Sequence, residues 1–332
     1  MKFLVIGLGS MGKRRVRNLQ ALSIADVAGF DPRADRRAET VAKNGIQVFD
    51  EFEMAVRSHQ PDAFVISTPP DTHMQYAYYA VERGINSFIE ASVVEADKIK
   101  RLADMVKGTS IIIAPSCTMR YFPGPRKIKE LISAQVIGKV LNVNYQTGQY
   151  LPDWHPWERI QDFYVSKRET GAVREIVPFE LAWLNDIFGT PVPLACVKAK
   201  LTDMPADIDD IYHCLMRYDD GVLANMTVEA VSRPVATRDM RVLGSEGEIV
   251  YRADTNSVRY INTSMSEWTE FKLNPGTVEN QYINPEEPYI AEMKDFVAAL
   301  MAKDASLFPN SLEDDYAVLA TLYALEGLSN AI

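Results

Sequence analysis

The chain has 332 residues, 47% of them apolar, and a formal net charge of −10. That is more chain than one ordinary core needs and predicts two packed domains, while the acidic balance argues against nucleic acid or an anionic membrane surface as partner. No apolar run reaches ~18 residues, so no membrane-spanning helix is expected.

The opening MKFLVIGLG has neither a long apolar leader nor a cleavage site, and reads as the start of a mature cytoplasmic protein. Cys117, Cys196 and Cys214 are odd in number and far apart in sequence. They predict reduced thiols, with no disulfide framework, zinc cluster or other metal site.

Over the first ~120 residues, short apolar runs at Phe3–Ile6, Val27–Phe30, Ala63–Ile66, 87–89 and 111–114 alternate with helix-length amphipathic segments. This is the βαβ pattern of a parallel sheet. KFLVIGLGSMGKRRVRNL reads as strand, then Gly7-x-Gly9-x-x-Gly12 with Ser10 and Met11 inside the loop, then helix. Such glycines permit a tight turn and bring a pyrophosphate close to backbone at a helix N-terminus. Asp31 ends the second strand, 19 positions after Gly12, where an acidic residue accepts from the ribose 2′-OH and favours NAD. Arg33, Arg36 and Arg37 follow; they either accommodate a 2′-phosphate, which keeps NADP open, or simply solvate a helix start. STPPDTH puts Thr68, Pro69 and His73 at the carboxyl end of the fourth run, where ligands bind in such sheets. His73 is as readily a structural histidine. FIEASVVEA ends the fifth run on a carboxylate, Glu90.

Pro115, Pro123 and Pro125 mark a boundary, giving expected domains of 1–120 and 121–332. A helix over 126–133 precedes VLNVNYQTG, which sets Leu141, Val143, Tyr145 and Thr147 against Asn142, Asn144 and Gln146. Strand-like runs near 212–218, 223–231 and 240–251, with a turn at Asp219-Asp220-Gly221, predict a large, mostly antiparallel sheet. Helices around 288–301 and 312–329 close the chain. The expected fold class is α/β, a dinucleotide-binding Rossmann domain plus a second α/β domain with an open-faced sheet.

The glycine loop, STPPDTH, the Glu90 strand end, MRYFP at 119–123 and GSEGEI at 244–249 occur in that order. Together they resemble the glucose–fructose oxidoreductase, inositol dehydrogenase and rhizopine-catabolism (Gfo/Idh/MocA) family over essentially the whole chain. The resemblance implies NAD(P)-dependent chemistry on a carbinol or carbonyl of a sugar, cyclic polyol or nucleotide sugar, and pairing of chains into a homodimer or homotetramer through the second sheet. It also implies a cofactor-facing role for Glu90. In that family the strand ends Glu-Lys-Pro; here it reads Glu90-Ala91-Ser92. In the second family signature, Glu175 falls where an Asp belongs and Phe179 where a His belongs, four residues on. The Lys and His that perform acid–base work in relatives are thus both replaced.

Hydride chemistry at a carbinol needs a group that takes or gives the hydroxyl proton. Glu175, His155, Lys167 and Tyr164 are the titratable candidates; Trp154 suits stacking on a sugar or base ring, and Arg120 and Arg174 suit an anionic substrate group. Two readings follow: an oxidoreductase with a non-standard acid–base set, or a catalytically silent NAD(P)-binding regulator of the same fold.

Overall fold

The computed structural model describes residues 1–154, 159–162 and 164–329. In chain order it begins β1 (Phe3–Ile6), α1 (Ser10–Ala21), β2 (Val27–Phe30), α2 (Ala34–Asn44), β3 (Gln47–Phe49) and α3 (Phe52–His59). There follow β4 (Ala63–Ile66), α4 (His73–Glu82), β5 (Asn86–Ile89), α5 (Ala96–Val106) and β6 (Ile113–Pro115). Next come α6 (Pro123–Ser133), β7 (Val140–Gly148), α7 (Ala172–Phe188), β8 (Val192–Ala199), β9 (Ile211–Arg217) and β10 (Leu223–Glu229). The chain ends with β11 (Thr237–Gly244), β12 (Gly247–Arg252), β13 (Ser257–Asn262), β14 (Thr269–Lys272), α8 (Glu287–Ala302) and α9 (Leu312–Gly327).

These elements form two compact units. The first spans Met1–Thr118 and Gly276–Tyr316. Its six strands are all parallel, in the order β3-β2-β1-β4-β5-β6. β1, β2 and β4 are buried at every position, which is why they read as unbroken apolar runs. The strand order reverses at β1 and β4, so the carboxyl ends of these strands form the ligand side of the sheet. The expected single boundary near 120 leaves out the return of residues 276–316. Phe296 of α8 packs on Phe3 and Phe88, with ring centroids 6.3 and 5.7 Å away. Arg14 of α1 binds Glu286 at 2.9 Å and stacks on Tyr289 at 4.0 Å.

The second unit starts at Met119, runs to Pro275 and takes up the chain again from Ala317. Its eight strands are ordered β14-β13-β12-β11-β7-β10-β9-β8. β7 and β10 are parallel and the other neighbours antiparallel. From Val143 on, β7 alternates as its sequence predicts, with Val143, Tyr145 and Thr147 buried and Asn144 and Gln146 exposed; Leu141, expected on the buried side, is exposed instead, near the strand's start. Tyr145 meets Trp183 of α7 edge-on at 5.4 Å, so α7 covers this face. Leu215 and Leu223 lie on the other face, both exposed.

Four strands, β3, β8, β13 and β14, escape the sequence reading. β3 has three residues and one buried position, and β8 is an edge strand with only Cys196 buried, so neither shows a periodic pattern. The cysteines are buried free thiols, yet Cys196 and Cys214 stand opposite each other on β8 and β9. Among the described residues, no helix is long and apolar enough to cross a membrane, and no cluster of three or more metal-ligating side chains occurs.

Candidate active site

In the first unit, β1 runs into the glycine loop. Gly7 has φ +88, and a Cβ there would approach the Ser67 carbonyl oxygen to 2.7 Å. A Cβ on Gly12 would collide with the carbonyl of Gly7. Both glycines are therefore demanded by the protein's own packing. Gly9 differs: the nearest atom to a Cβ there is Arg36 Nη1 at 3.5 Å, an ordinary contact. Gly9 is also the N-cap of α1, with no side-chain cap and no acidic residue in the first turn. The first amides of α1 thus lack an internal acceptor from a capping side chain, which fits a pyrophosphate.

Asp31 follows β2 and is 2% exposed. Its Oδ2 accepts from the Leu8 amide and its Oδ1 from the Arg33 amide, both at 2.8 Å. Two backbone donors fix the carboxylate beside the loop and leave lone pairs on each oxygen for ribose hydroxyls. The Arg33 side chain instead grips Asp35 at 2.6 Å.

Beyond β4, Thr72 Oγ1 lies 2.8 Å from both the Thr68 hydroxyl and the Pro69 carbonyl, donating its one proton to the carbonyl and accepting from Thr68. His73 is buried, and its Nε2 lies 2.8 Å from the Thr68 carbonyl. Burial holds its imidazolium below the usual histidine range, so the neutral ring carries its proton on Nε2 and pins Thr68. His73 acts on the loop backbone.

Glu90 has a partner that the sequence reading missed. Arg15 of α1 is fully buried and forks onto Glu90, Nε to Oε1 at 2.6 Å and Nη2 to Oε2 at 2.9 Å. Ser67 Oγ donates to Glu90 Oε1 at 3.2 Å. Arg15 Nη2 also reaches Glu292 Oε2 of α8 at 2.9 Å. Glu292 in turn accepts from Cys117 N at 2.6 Å, Thr118 Oγ1 at 2.6 Å and Ser116 Oγ at 3.0 Å. Burial opposes the charge on Arg15, but Glu90 and Glu292 outweigh it and hold the guanidinium protonated. This chain balances Glu90 from α1.

The second unit carries the proton-transfer candidates. Gly171 caps α7, and a Cβ on it would crowd Ile208 and the Lys167 carbonyl. Glu175 lies in the first turn of α7. Tyr164 donates its hydroxyl to Glu175 Oε1 at 2.7 Å; Oε2 is buried with no partner among the described residues. Although part of the side chain is accessible, its oxygen is not, and burial pushes the carboxyl up to about 7 against the opposing Tyr164 bond. Glu175 and Tyr164 are thus brought together, while Lys167 is exposed and His155 lies outside the described residues. Trp154 is half-buried, its indole Nε1 enclosed without a partner among the described residues.

Both candidate anion clamps are engaged within the unit. Arg120 donates to the Ala182 carbonyl at 2.9 Å and lies 3.8 Å from Asp186. Arg174 holds Glu326 of α9 at 2.8 and 3.2 Å and the Glu169 carbonyl at 2.6 Å. A buried cluster further along α7 has no counterpart in the sequence reading. Glu180 accepts from Tyr145 at 2.7 Å and Trp183 at 2.6 Å, and pairs with Arg238 at 2.8 Å.

A parallel sheet with a glycine-rich first turn and a following acidic strand end defines the class: a dinucleotide-binding Rossmann fold. Comparison with known proteins sharpens this. Residues 1–115 match the family model for the oxidoreductase family with an NAD-binding Rossmann fold, and residues 126–250 match that for the GFO/IDH/MocA C-terminal domain. The chain belongs to the Gfo/Idh/MocA oxidoreductase family. It is 30% identical over 247 residues to D-xylose 1-dehydrogenase (NADP(+)) of Hypocrea jecorina, covering 67% of this chain and 62% of that protein. The chain spans between 30% and 62% of the length of the curated relatives it matches. Among solved structures, levoglucosan dehydrogenase with NADH and levoglucosan superposes with a TM-score of 0.84 at 18% identity, covering 98% of this chain and 96% of that one. UDP-N-acetylglucosamine 3-dehydrogenase from Acidithiobacillus ferrooxidans gives 0.78 at 20% identity, covering 99% and 97%. At such identities these two structures speak for the fold.

Proposed function

We propose that the protein is an NAD(P)-dependent oxidoreductase acting on a carbinol or carbonyl of a sugar, cyclic polyol or nucleotide sugar, with Glu175 as its proton-transfer residue. The observation that carries this is the Glu175 carboxyl: one oxygen bound by Tyr164, the other buried and unpartnered, and a pKa raised to about 7. A group poised there takes and returns a proton at neutral pH. When bound, the nicotinamide would accept the hydride in oxidation and supply it in reduction. The amides of the Gly7–Gly12 loop and α1 hold the pyrophosphate, and Asp31 accepts from the adenosine ribose. Thr68 and Pro69 border that loop through the bonds of Thr72 and His73, and Arg15 fixes the Glu90 carboxylate beside it. Glu175 withdraws the substrate's hydroxyl proton in oxidation and returns it in reduction; Tyr164 orients the carboxyl. Trp154 stacks on the sugar ring, while Arg120 and Arg174 shape the unit.

The family's pairing mode and the exposed Leu215 and Leu223 support a homodimer through the open sheet face. Ala91 and Phe179 favour the second reading, a silent NAD(P)-binding regulator. A thermal-shift and turnover screen of sugars, polyols and nucleotide sugars with NAD(H) separates the two, since ligands raise apparent stability. Turnover with at least one class is expected. Tight NADH binding with no turnover on any would replace the enzyme reading with the regulator.

A further inference from the structure

Three arginines follow Asp31, and the structure gives them different tasks. Arg33 is bound to the exposed Asp35 at 2.6 and 3.1 Å. Arg37 Nη1 donates to the carbonyls of Asp31 and Pro32, both at 2.8 Å, and its Nη2 lies 3.8 Å from Asp50. Arg36 of α2 turns toward the cofactor loop. Its Nη1 lies 3.6 Å from Asp31 Oδ2 and within 3.5 Å of the space a Cβ on Gly9 would fill. The side chain is 30% exposed, against 3% for the carboxylate it faces.

We infer that Arg36 is the residue that sets cofactor specificity, and that it lets this chain accept a 2′-phosphorylated dinucleotide beside Asp31. The inference rests on the assignment of the glycine loop and Asp31 to the dinucleotide. At 3.6 Å the pair with Asp31 is too long for a hydrogen bond, so the guanidinium gives up little when it re-aims. Asp31 meanwhile keeps its two amide donors and does not depend on Arg36. A phosphate dianion offers the planar fork a bidentate acceptor, a stronger match than the half-screened contact it replaces. Without the 2′-phosphate, Asp31 takes the ribose hydroxyl and Arg36 stays where it is. Sequence alone leaves Arg33, Arg36 and Arg37 equivalent; their hydrogen bonds do not.

The test is fluorescence titration of NADH and NADPH on the full chain, wild type and the variants Arg36→Ala, Arg36→Lys and Asp31→Ala. Arg36→Ala should raise the NADPH Kd roughly 10- to 100-fold, the worth of a charge-assisted bond to phosphate, and move the NADH Kd less than about threefold. Arg36→Lys should recover part of the NADPH loss as a point charge. Asp31→Ala should weaken NADH and tighten NADPH. Equal loss of both cofactors in Arg36→Ala would make Arg36 a general support of the loop and overturn the inference. Wild type that binds NADH but not NADPH would overturn it too, leaving the dinucleotide site intact. If neither binds, the site assignment itself falls.

Discussion

Replacing Glu175 by Gln separates catalysis from stability in one variant. Gln keeps the shape and one carbonyl acceptor for Tyr164 but cannot ionise. Burial raises the carboxyl from 4.5 to about 7 in the folded chain. Between those values the folded state binds more protons than the unfolded state, so wild-type stability falls as pH rises through the window and levels off above about 7. The interval corresponds to roughly 3 kcal/mol at ~1.4 kcal/mol per pH unit, an upper bound because the side chain is partly accessible. Glu175→Gln lacks this slope. It should match wild type near pH 5 and exceed it at pH 8 by ~1–3 kcal/mol, read from urea midpoints. Turnover should move the other way, down by about 10²–10⁴-fold, at unchanged NADH affinity. For oxidation, wild-type kcat/KM should climb to a plateau above about pH 7, and the variant should lose that limb. Parallel stability curves at both pH values, or wild-type turnover in the variant, would refute the role given to Glu175.

Three further outcomes are expected. Arg15→Met leaves Glu90 and Glu292 without their shared cation and should cost roughly 3–5 kcal/mol in denaturant unfolding; adding Glu292→Gln should return part of it, and a neutral single variant would count against the network. Ala91→Lys should change kcat less than about threefold, because Glu90 is already forked by Arg15 and a partly buried ammonium carries a desolvation cost; a tenfold rise would sink this. Leu215→Glu should turn a dimer into a monomer in sedimentation at micromolar protein; a monomeric wild type ends the sheet-pairing proposal.

What the sequence makes legible is local. β1, β2 and β4 announce themselves because every residue is buried, and the glycine loop because its chemistry lies within six consecutive positions. Alternation along β7 predicts which side chains go inside from Val143 on, but not Leu141 near its start. Distant pairings stay hidden. Arg15 sits mid-helix, where a charge ordinarily reads as solvated, and its partners Glu90 and Glu292 come from β5's end and α8. Arg174 reads as an anion clamp until Glu326, 152 positions on, is seen to hold it. Tyr164 and Glu175 are both candidates in the sequence, but their hydrogen bond depends on how the turn before α7 folds back.

The return of residues 276–316 to the first unit also sets an order of events during synthesis. When Thr118 has emerged from the ribosome, all six parallel strands exist, yet Phe3 and Phe88 still lack Phe296, and Arg15 faces Glu90 without Glu292. Roughly 160 residues separate Thr118 from Gly276, a delay of about 10–30 s at ~5–20 residues/s. For that interval the nascent sheet presents an aromatic surface and a half-neutralised buried ion pair. A chaperone that recognises apolar surface has its clearest target then, and a fragment ending near residue 120 would carry the same exposed face permanently.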